Sequence, residues 1–359
     1  MSLVKLSESA PVRGLQSLSA VIQSPYFSGP LLAALLYAPD HLKQQVLQHL
    51  PPNFNIDVAR NVLQVLLGLG LLKTINQGLS SMAANSWRAT AAKGWDWPGE
   101  IAVVTGGCSG IGYCIVKRLV ARRVRVAILD VQEPPKDFAA DPLIRHYKCD
   151  ITSPDSVAKA ADAIRKHLGH PSILVNNAGI TRPLPILEMP RDFLHKIFDV
   201  NCLSHWTLVQ QFLPHMIKVN KGHIMTVASM ASFIALPKAA DYSATKAAAL
   251  SFHESLAIEL KHVYKADSVL TSVAHPNFVR TPLVQDFGHH LEEGGIRMLT
   301  PDGVAGVITD QIFRKRGAQL IIPDKQSSLT GIRAWPTWLK VILLDQLASS
   351  SSKVGVQGN

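Results

Sequence analysis

The stretch Ile101-Ala-Val-Val-Thr105, followed at once by Gly106-Gly-Cys-Ser-Gly-Ile-Gly112, decides the fold of this chain. The first part is a short apolar run rich in β-branched residues, which is typical of a buried parallel strand. The second part is a glycine-rich turn, and residues 113–121 have a helical pattern. This order places free backbone N–H groups and the positive end of a helix dipole where a pyrophosphate binds.

We therefore predict a dinucleotide-binding turn. The residues expected at the phosphates are Gly106, Ser109, Gly110, Ile111 and Gly112. The glycine spacing departs from G-x-G-x-x-G, so the match to the standard dinucleotide fingerprint is loose. The order of strand, turn and helix is the stronger signal.

The next predicted strand, Val124-Arg-Val-Ala-Ile-Leu-Asp130, ends in a carboxylate. An acid at this position accepts hydrogen bonds from the adenosine ribose hydroxyls and repels the extra phosphate of NADP. Asp130 therefore favours NAD over NADP, although Arg122 and Arg123 are cations that could reach a phosphate. The alternative is a solvated aspartate at the end of a strand.

Apolar strand-like runs alternate with helical stretches from Ile101 to Ile322. This alternation predicts an α/β fold with a doubly wound, Rossmann-type parallel sheet. The 359 residues suffice for one large domain and an extension. We expect an apolar helical N-terminal extension at residues 1–98, a nucleotide-binding catalytic domain at 99–325, and a C-terminal apolar helix with a disordered tail at 326–359.

The net charge and the cysteine content argue against a nucleic-acid-binding, a disulfide-rich or a metal-binding protein. The formal net charge of +10 is spread along the chain, with 7 basic and 4 acidic residues in 1–98 and 29 and 22 in 99–359. Because no long basic run appears, an anionic membrane surface explains the charge at least as well as a nucleic acid, and we expect no nucleic-acid partner. The four cysteines form no C-x-x-C pair and no cluster with histidine, so we expect neither a disulfide framework nor a metal site.

A second signal lies in Asp241-Tyr-Ser-Ala-Thr-Lys-Ala-Ala-Ala-Leu250, which is predicted to be helical. Tyr242 and Lys246 then share one face, one turn apart. A nearby cation favours tyrosinate and lowers the tyrosine pKa, which makes the phenol a usable acid/base for an alcohol or a carbonyl. The hydroxyl of Ser229 could hold the substrate oxygen. For the pair alone, the alternative is an ordinary surface helix.

Taken together, several separated motifs resemble the short-chain dehydrogenase/reductase family over about residues 101–323. They are Thr105-Gly-Gly-Cys-Ser-Gly-Ile-Gly112, Asn176-Asn-Ala-Gly179, Ser229 and Tyr242-Ser-Ala-Thr-Lys246. The resemblance implies a nicotinamide cofactor and redox chemistry at an alcohol or carbonyl. It implies that Tyr242 is the acid/base, that Lys246 binds the nicotinamide ribose and lowers the tyrosine pKa, and that Ser229 holds the substrate oxygen.

The resemblance also implies roles for residues outside this triad. Asn201 would complete a proton relay through water, Asp150 would lie near the adenine, and Asn177 would line the cofactor cleft. Val279 and Thr281 would close over the nicotinamide amide. Each has a structural alternative, such as a helix cap at Asp150, a strand-end turn at Asn177 or a helix kink at Asn201. The chain departs from the family at Pro276-Asn277, where Pro-Gly is usual.

The N-terminal extension contains two apolar runs, at residues 29–38 and 62–72. Both are shorter than the roughly 20 residues that a membrane-spanning helix needs. Asp57, Asn61 and Gln64 share one stripe of a helix whose other face is apolar, so we predict an interfacial amphipathic helix or a shallow hairpin. The alternatives are that this face packs against the catalytic domain or against a second subunit of a homodimer.

The segment Trp335-Pro-Thr-Trp-Leu-Lys-Val-Ile-Leu-Leu344 is a further short apolar stretch with aromatic and basic flanks. With the apolar N-terminal extension, it resembles the membrane-associated retinol and hydroxysteroid dehydrogenases of the family. That resemblance implies a small lipophilic substrate, which suits the apolar stretch at residues 232–237 beside Ser229. It also implies a catalytic domain that faces the cytosol, at the endoplasmic reticulum or a lipid droplet if the cell is eukaryotic.

These observations predict a membrane-associated NAD(P)-dependent oxidoreductase. It would interconvert a lipophilic secondary or allylic alcohol and its ketone or aldehyde, with Tyr242 as the proton donor and acceptor. The rival from another class is a non-catalytic nucleotide-binding scaffold at a lipid surface.

Overall fold

The computed structural model describes residues 24–49, 54–293 and 296–351. The chain divides into two compact units, Met1–Ala83 and Ala84–Asn359. The beginning of the predicted N-terminal extension, residues 1–23, and the predicted disordered tail after Ser351 lie outside the described residues. The domain limits at residues 98 and 325 remain predictions.

The first unit contains three described helices: α1 Pro25–Tyr37, α2 Asp40–Leu47 and α3 Ile56–Ala84. At 29 residues, α3 is long and apolar enough to cross a membrane, by length and composition. The prediction that this segment is too short to span a bilayer is therefore wrong. That prediction counted only the uninterrupted apolar run, whereas polar residues such as Lys73 have good helix propensity and let the helix continue. The stripe of Asp57 and Gln64 does not continue along α3, since Lys73 lies on the opposite side.

The second unit is built around a seven-stranded parallel sheet in the order β3-β2-β1-β4-β5-β6-β7. The strands are β1 Ile101–Thr105, β2 Arg125–Asp130, β3 Ile144–Lys148, β4 Ile173–Asn176, β5 Gly222–Val227, β6 Val269–Pro276 and β7 Ala318–Ile322. Val103 of β1 lies opposite Ala127 of β2 on one side and Leu174 of β4 on the other. The strand order reverses at β1, so a crevice opens at the carboxyl ends of β1 and β4. The predicted doubly wound fold is confirmed.

Helices cover both faces of the sheet. They are α4 Gly110–Val120, α5 Lys136–Ala139, α6 Pro154–His167, α7 Arg191–Phe198, α8 Ser204–Lys218, α9 Ala240–His262, α10 Gly288–Glu293, α11 Pro301–Arg314 and α12 Thr337–Ser351. Because successive side chains of a strand point to opposite faces, β1 contributes to two cores. Val104 packs with Ile115 of α4 and Ile308 of α11, whereas Val103 packs with Ile164 of α6 and Leu208 of α8.

Four histidines are buried in this unit: His205 on α8, His223 on β5, His253 on α9 and His275 on β6. Burial disfavours the charged imidazolium. It lowers the pKa of His205 and His223 to about 3, and that of His253 and His275 to about 4. All four are therefore neutral inside the fold near neutral pH.

Because these histidines are buried and neutral, we expect the protein to lose stability in mild acid. In the unfolded chain the histidine pKa is near 6.5. The contribution of the neutral histidines to the free energy of unfolding is therefore fully present above pH 6.5. It is lost as the pH falls toward their folded-state pKa values of about 3 to 4. Each one should lower the free energy of unfolding by about 1.4 kcal/mol per pH unit in this window. Urea unfolding between pH 7.5 and 4.5 measures the slope. His223→Gln should reduce the slope and the exposed His262→Gln should not; an unfolding free energy that is flat from pH 7 to 5 would contradict this account.

Candidate active site

The glycine-rich turn between β1 and α4 is shaped by close backbone contacts. Gly106 and Gly110 have φ of +64° and +56°, in the left-handed region that side chains disfavour. A Cβ on Gly112 would lie 2.1 Å from the carbonyl oxygen of Gly106, where no side chain fits. The half-buried Ser109 and Ile111 lie in the same turn, and α4 begins at Gly110. The turn therefore holds the N-terminus of α4 directly over the end of β1.

Hydrogen bonds of Asn177, which follows β4, hold this turn in place. Its Nδ2 donates to the carbonyl oxygens of Thr105 and Gly106, at 2.9 and 3.2 Å. The Thr105 hydroxyl oxygen accepts in return from the backbone N–H groups of Asn177 and Ala178, both at 3.0 Å. Asn177 therefore lies beside the glycine-rich turn at residues 106–112, which we call the phosphate turn. Its amide holds the backbone of that turn.

Asp130, at the end of β2, is buried against the other side of the turn. Its Oδ2 accepts from the backbone N–H of Cys108 at 2.9 Å, and its Oδ1 accepts from that of Gln132 at 3.0 Å. Burial, and then the Asp130 charge, raise the pKa of the Cys108 thiol to about 12, and Glu133 acts in the same direction. The end of β2 is therefore an acidic environment with a neutral thiol.

Asp150 follows β3 and shapes the next turn. Its Oδ1 accepts from the backbone N–H of Thr152 at 3.0 Å and from the Thr152 hydroxyl at 2.8 Å. The N-cap of α6 is Ser153, whose side chain accepts from the N–H of Ser156. The cap considered for Asp150 is therefore made by Ser153, and the exposed Asp150 stands at the carboxyl edge of the sheet.

Ser229, Tyr242 and Lys246 come together at the carboxyl end of β5. Ser229 opens a short 3-10 helix, Met230–Ser232, and its Oγ accepts from the N–H of Ala231 at 3.1 Å. The Tyr242 phenol lies close enough to Ser229 for the Ser229 side chain to lower the pKa of the phenol. The Nζ of Lys246 lies 5.6 Å from the centroid of the Tyr242 ring and donates to the carbonyl oxygen of Val227 at 3.0 Å.

Burial acts on the two titrating groups in opposite directions. It raises the pKa of the Tyr242 phenol, and the hydrogen bond with Ser229 lowers that pKa. It lowers the pKa of the Lys246 ammonium to about 8, and the Cys202 thiol acts weakly in the other direction. The lowering of the tyrosine pKa by Lys246 stays a prediction.

Asn201 lies in a π-helical turn, Asp199–Leu203, between α7 and α8. Its Oδ1 accepts from the N–H of Ile180 at 2.8 Å, and its Nδ2 donates to the Ile180 carbonyl at 2.9 Å and to the Thr245 hydroxyl at 3.2 Å. A Cβ on Gly179 would lie 3.4 Å from Asn201 Oδ1 and 3.6 Å from Lys246 Nζ. Asn201 and Lys246 thus flank the same glycine.

Val279 and Thr281 follow β6 at the same edge of the sheet. Val279 forms an isolated parallel bridge with Leu299, and this bridge closes the base of the segment between them. A Cβ on Gly110 would lie 3.2 Å from Cγ2 of Thr281. Thr281 therefore lies next to the phosphate turn. Its place over the nicotinamide amide stays a prediction.

The contacts of the C-terminal segment could not be predicted from its sequence. A third apolar cluster contains Met230, Ile234 and Ile332, and it is flanked by Phe233, Leu236, Ile321, Leu329, Trp335, Leu343 and Leu344. The Nε of Arg333 also donates to the Phe233 carbonyl at 3.2 Å. The 3-10 helix Asp324–Ala334 and α12 therefore pack on the turn that follows Ser229. Trp338 and Ile342 of α12 stay exposed.

The described part of the chain contains no group of three or more histidine, cysteine, aspartate or glutamate side chains that could hold a metal ion. Its four cysteines are free thiols.

The close contact at Gly112 predicts a sharp steric effect. Gly112→Ala should displace Gly106 or Asn177, whose Nδ2 would lie 2.6 Å from the new Cβ, and so disrupt the phosphate turn. Titration with NADH, followed by fluorescence, should show at least a tenfold loss of affinity. Gly78→Ala is the matched control, because nothing lies within 4 Å of its Cβ. Equal affinities in the two variants would refute the steric argument.

Comparison with known proteins places this geometry in a family. The family model for short chain dehydrogenases matches residues 100–292. Dehydrogenase RED2 of Cochliobolus heterostrophus is 40% identical over 202 residues, which cover 56% of this chain and 76% of the relative. Epidermal retinol dehydrogenase 2 of Mus musculus is 32% identical over 238 residues, which cover 64% of this chain and 74% of the relative.

A solved structure agrees in fold and cofactor class. It is the 3-ketoacyl-(acyl-carrier-protein) reductase from Brucella melitensis complexed with NADH, with a TM-score of 0.57 and 26% identity, covering 63% of this chain and 98% of the other. The strand order, the phosphate turn and the matched family model lead to one assignment. The chain belongs to the short-chain dehydrogenase/reductase family and is an NAD(P)-dependent oxidoreductase that resembles the retinol dehydrogenase branch.

Proposed function

We propose that this enzyme interconverts a lipophilic secondary or allylic alcohol and its carbonyl, with Tyr242 as the proton donor and acceptor. The observation that carries this proposal is the convergence of three side chains at the carboxyl end of β5. The Ser229 side chain lowers the pKa of the Tyr242 phenol, and the Lys246 ammonium lies beside the phenol ring. An alcohol oxygen placed between Ser229 and Tyr242 has a hydrogen-bond donor and a proton acceptor within reach.

The residues around the crevice fit a nicotinamide dinucleotide. Gly106 and Gly112 allow the close backbone contacts that hold the N-terminus of α4 over the end of β1, where its free N–H groups would bind a pyrophosphate. Asp130 stands where the adenosine ribose hydroxyls would bind, and Asp150 stands at the same edge of the sheet. When bound, the nicotinamide supplies or accepts the hydride.

The protein would perform the remaining steps through four side chains. Ser229 would hold the substrate oxygen through its hydroxyl, whose contact with the Pro276 carbonyl is long at 3.4 Å and therefore easily exchanged. Tyr242 would give a proton to that oxygen during reduction and take it during oxidation. Lys246 would bind the nicotinamide ribose, and its charge would favour the tyrosinate form. Asn201, on the other side of Gly179, would connect Lys246 to water.

NAD is the cofactor that the charges at the end of β2 favour. Asp130 and Glu133 are both acidic there and act together on Cys108. A phosphate on the ribose would have to approach these two carboxylates, which repel it. Lys148, at the end of β3, is paired with Glu133 at 3.2 Å.

A lipophilic substrate follows from the surroundings of Ser229. The turn after it carries Phe233 and Leu236, and the C-terminal segment adds Trp335 and Leu343 to the same apolar cluster. A substrate oxygen held by Ser229 would bring the rest of the substrate near this apolar cluster, and sites for apolar ligands are lined mainly by apolar side chains. The similarity to retinol dehydrogenases, whose name denotes an allylic lipid alcohol, supports the same substrate class.

We also propose that the enzyme is membrane-associated through its first unit. The helix α3 has the length and composition of a membrane-spanning helix, and Val65, Leu69 and Leu72 are exposed on it. A catalytic unit that faces the cytosol, at the endoplasmic reticulum or a lipid droplet, is the arrangement we propose for a eukaryotic cell. Such a location gives the site direct access to lipid-dissolved alcohols.

The mechanism is tested by Tyr242→Phe. We expect kcat to fall by at least 1,000-fold, because the variant lacks the phenolic proton of Tyr242, while NADH affinity stays within about twofold. The assay follows nicotinamide absorbance with hydrophobic alcohols and ketones, and with NAD and NADP in parallel. Ser243→Ala, one residue away, is the control and should keep its activity. Turnover that survives in Tyr242→Phe would overturn the mechanism, and a higher kcat/KM with NADP would overturn the cofactor preference.

Membrane attachment is tested by charges placed on α3. In the full-length protein, Val65→Asp and Leu69→Asp should shift the protein into the soluble fraction, because each charge costs about 3 kcal/mol inside a bilayer. Ile258→Asp on α9 is the matched control, since Ile258 is 62% exposed and Val65 is 61% exposed. Partitioning that is the same for all three variants would rule out α3 as the membrane anchor.

A further inference from the structure

The tautomer of His275 follows from its two partners. His275 lies near the end of β6 and is fully buried. Its Nδ1 is 3.0 Å from the carbonyl oxygen of Ser229, which can only accept, so Nδ1 carries the proton. Its Nε2 is 3.4 Å from the amide nitrogen of Gln319 on β7, which can only donate, so Nε2 presents its lone pair. The imidazole is thus a directed donor to the backbone of Ser229.

The hydrogen bond from His275 Nδ1 to the Ser229 carbonyl helps to hold the turn that contains Ser229. The Ser229 carbonyl also accepts from the N–H of Ser232 at 3.0 Å, within the 3-10 helix, so two donors hold it. The imidazole comes from a different strand and is packed against the ring of Phe233, with centroids 4.7 Å apart. A side chain on β6 therefore ties the turn after β5 to the sheet.

His275 acts in this place as a neutral group. Burial lowers its pKa to about 4, the nearby Lys246 charge also lowers it, and the bond to the Ser229 carbonyl raises it. The titratable groups that face it are Lys246 and His253 of α9, and His253 is itself neutral near pH 7. Since its proton is committed to a carbonyl, His275 has no free proton for the substrate.

We infer that His275 is a positioning residue, whose Nδ1–H holds the Ser229 carbonyl and so aims the Ser229 hydroxyl at Tyr242 and the substrate oxygen. The inference rests on the proposed role of Ser229 and adds a residue outside the motifs identified in the sequence. It predicts that the geometry of the donor, and not the volume of the imidazole, determines the rate of the chemical step.

Two amide substitutions test the position of the hydrogen-bond donor at residue 275 separately from the volume of the side chain. In His275→Asn the amide nitrogen is two bonds from Cβ, as Nδ1 is, and it can donate to the Ser229 carbonyl. In His275→Gln the amide nitrogen is three bonds from Cβ, as Nε2 is, and it lies toward Gln319. His275→Leu keeps volume and removes both bonds. His223→Leu is the matched control, because His223 is equally buried and bonds the Ser272 hydroxyl in the middle of β6, away from Ser229.

We expect kcat to fall about 10- to 100-fold in His275→Gln and His275→Leu, since a misplacement of about 1 Å costs on this order. His275→Asn should keep kcat within about threefold of the wild type. The KM for NAD should not change in any of them, because the phosphate turn is remote from this bond. His223→Leu should lower the unfolding midpoint without lowering kcat. Equal kcat values in the Asn and Gln variants, or a loss that appears in the NAD KM, would overturn the inference.

A spectroscopic readout keeps this test independent of turnover. The imidazole ¹⁵N shifts of His275, identified by their loss in His275→Asn, should show a protonated Nδ1 and an unprotonated Nε2 from pH 8 to pH 5.5. A protonated Nε2 would overturn the inference even in an active enzyme. If no alcohol or carbonyl is turned over by the wild type, the proposed function fails and the ¹⁵N result still decides whether the bond exists.

Discussion

The close approach of α4 to the end of β1 is the constraint on which the second unit depends. Only a residue without a side chain fits at position 112, because a Cβ there would lie 2.1 Å from the Gly106 carbonyl. This contact brings the free N–H groups of a helix to the point where the strand order reverses. Thr105 and Asn177 then bind β4 to the same turn, so a single backbone geometry serves the fold and the nucleotide site.

Burial is the second physical factor that determines the chemistry of the site. It raises the pKa of Tyr242 and lowers that of Lys246, so it disfavours the charged form of both. A tyrosine that exchanges protons near neutral pH therefore needs stabilising bonds to its oxygen, and the described site offers one from Ser229. The position of Ser229 depends in turn on its backbone, which Ser232 and His275 hold from two directions. Proton transfer in this account rests on hydrogen-bond geometry as much as on charge.

The local patterns could be predicted from the sequence because short-range physics determines them. The β-branched run at β1, the glycine turn and the one-turn spacing of Tyr242 and Lys246 each follow from strand or helix geometry. Contacts between distant segments could not be predicted in this way. The packing of Trp335 and Leu343 against the turn after Ser229 joins residues about a hundred positions apart. The length of α3 was underestimated because an apolar run is a poor measure of a helix that tolerates Lys73.

A structure of the enzyme with NADH and a hydrophobic alcohol bound tests the central claim most directly. The account predicts that the alcohol oxygen lies within about 3 Å of both Ser229 Oγ and Tyr242 Oη. It also predicts that the adenosine ribose hydroxyls contact Asp130 and that the hydrocarbon part of the alcohol lies against Phe233 and Leu236. NADH and an alcohol cannot react with each other, so the complex is stable, and an alcohol oxygen bound in it away from Ser229 and Tyr242 would contradict the proposed roles of these residues.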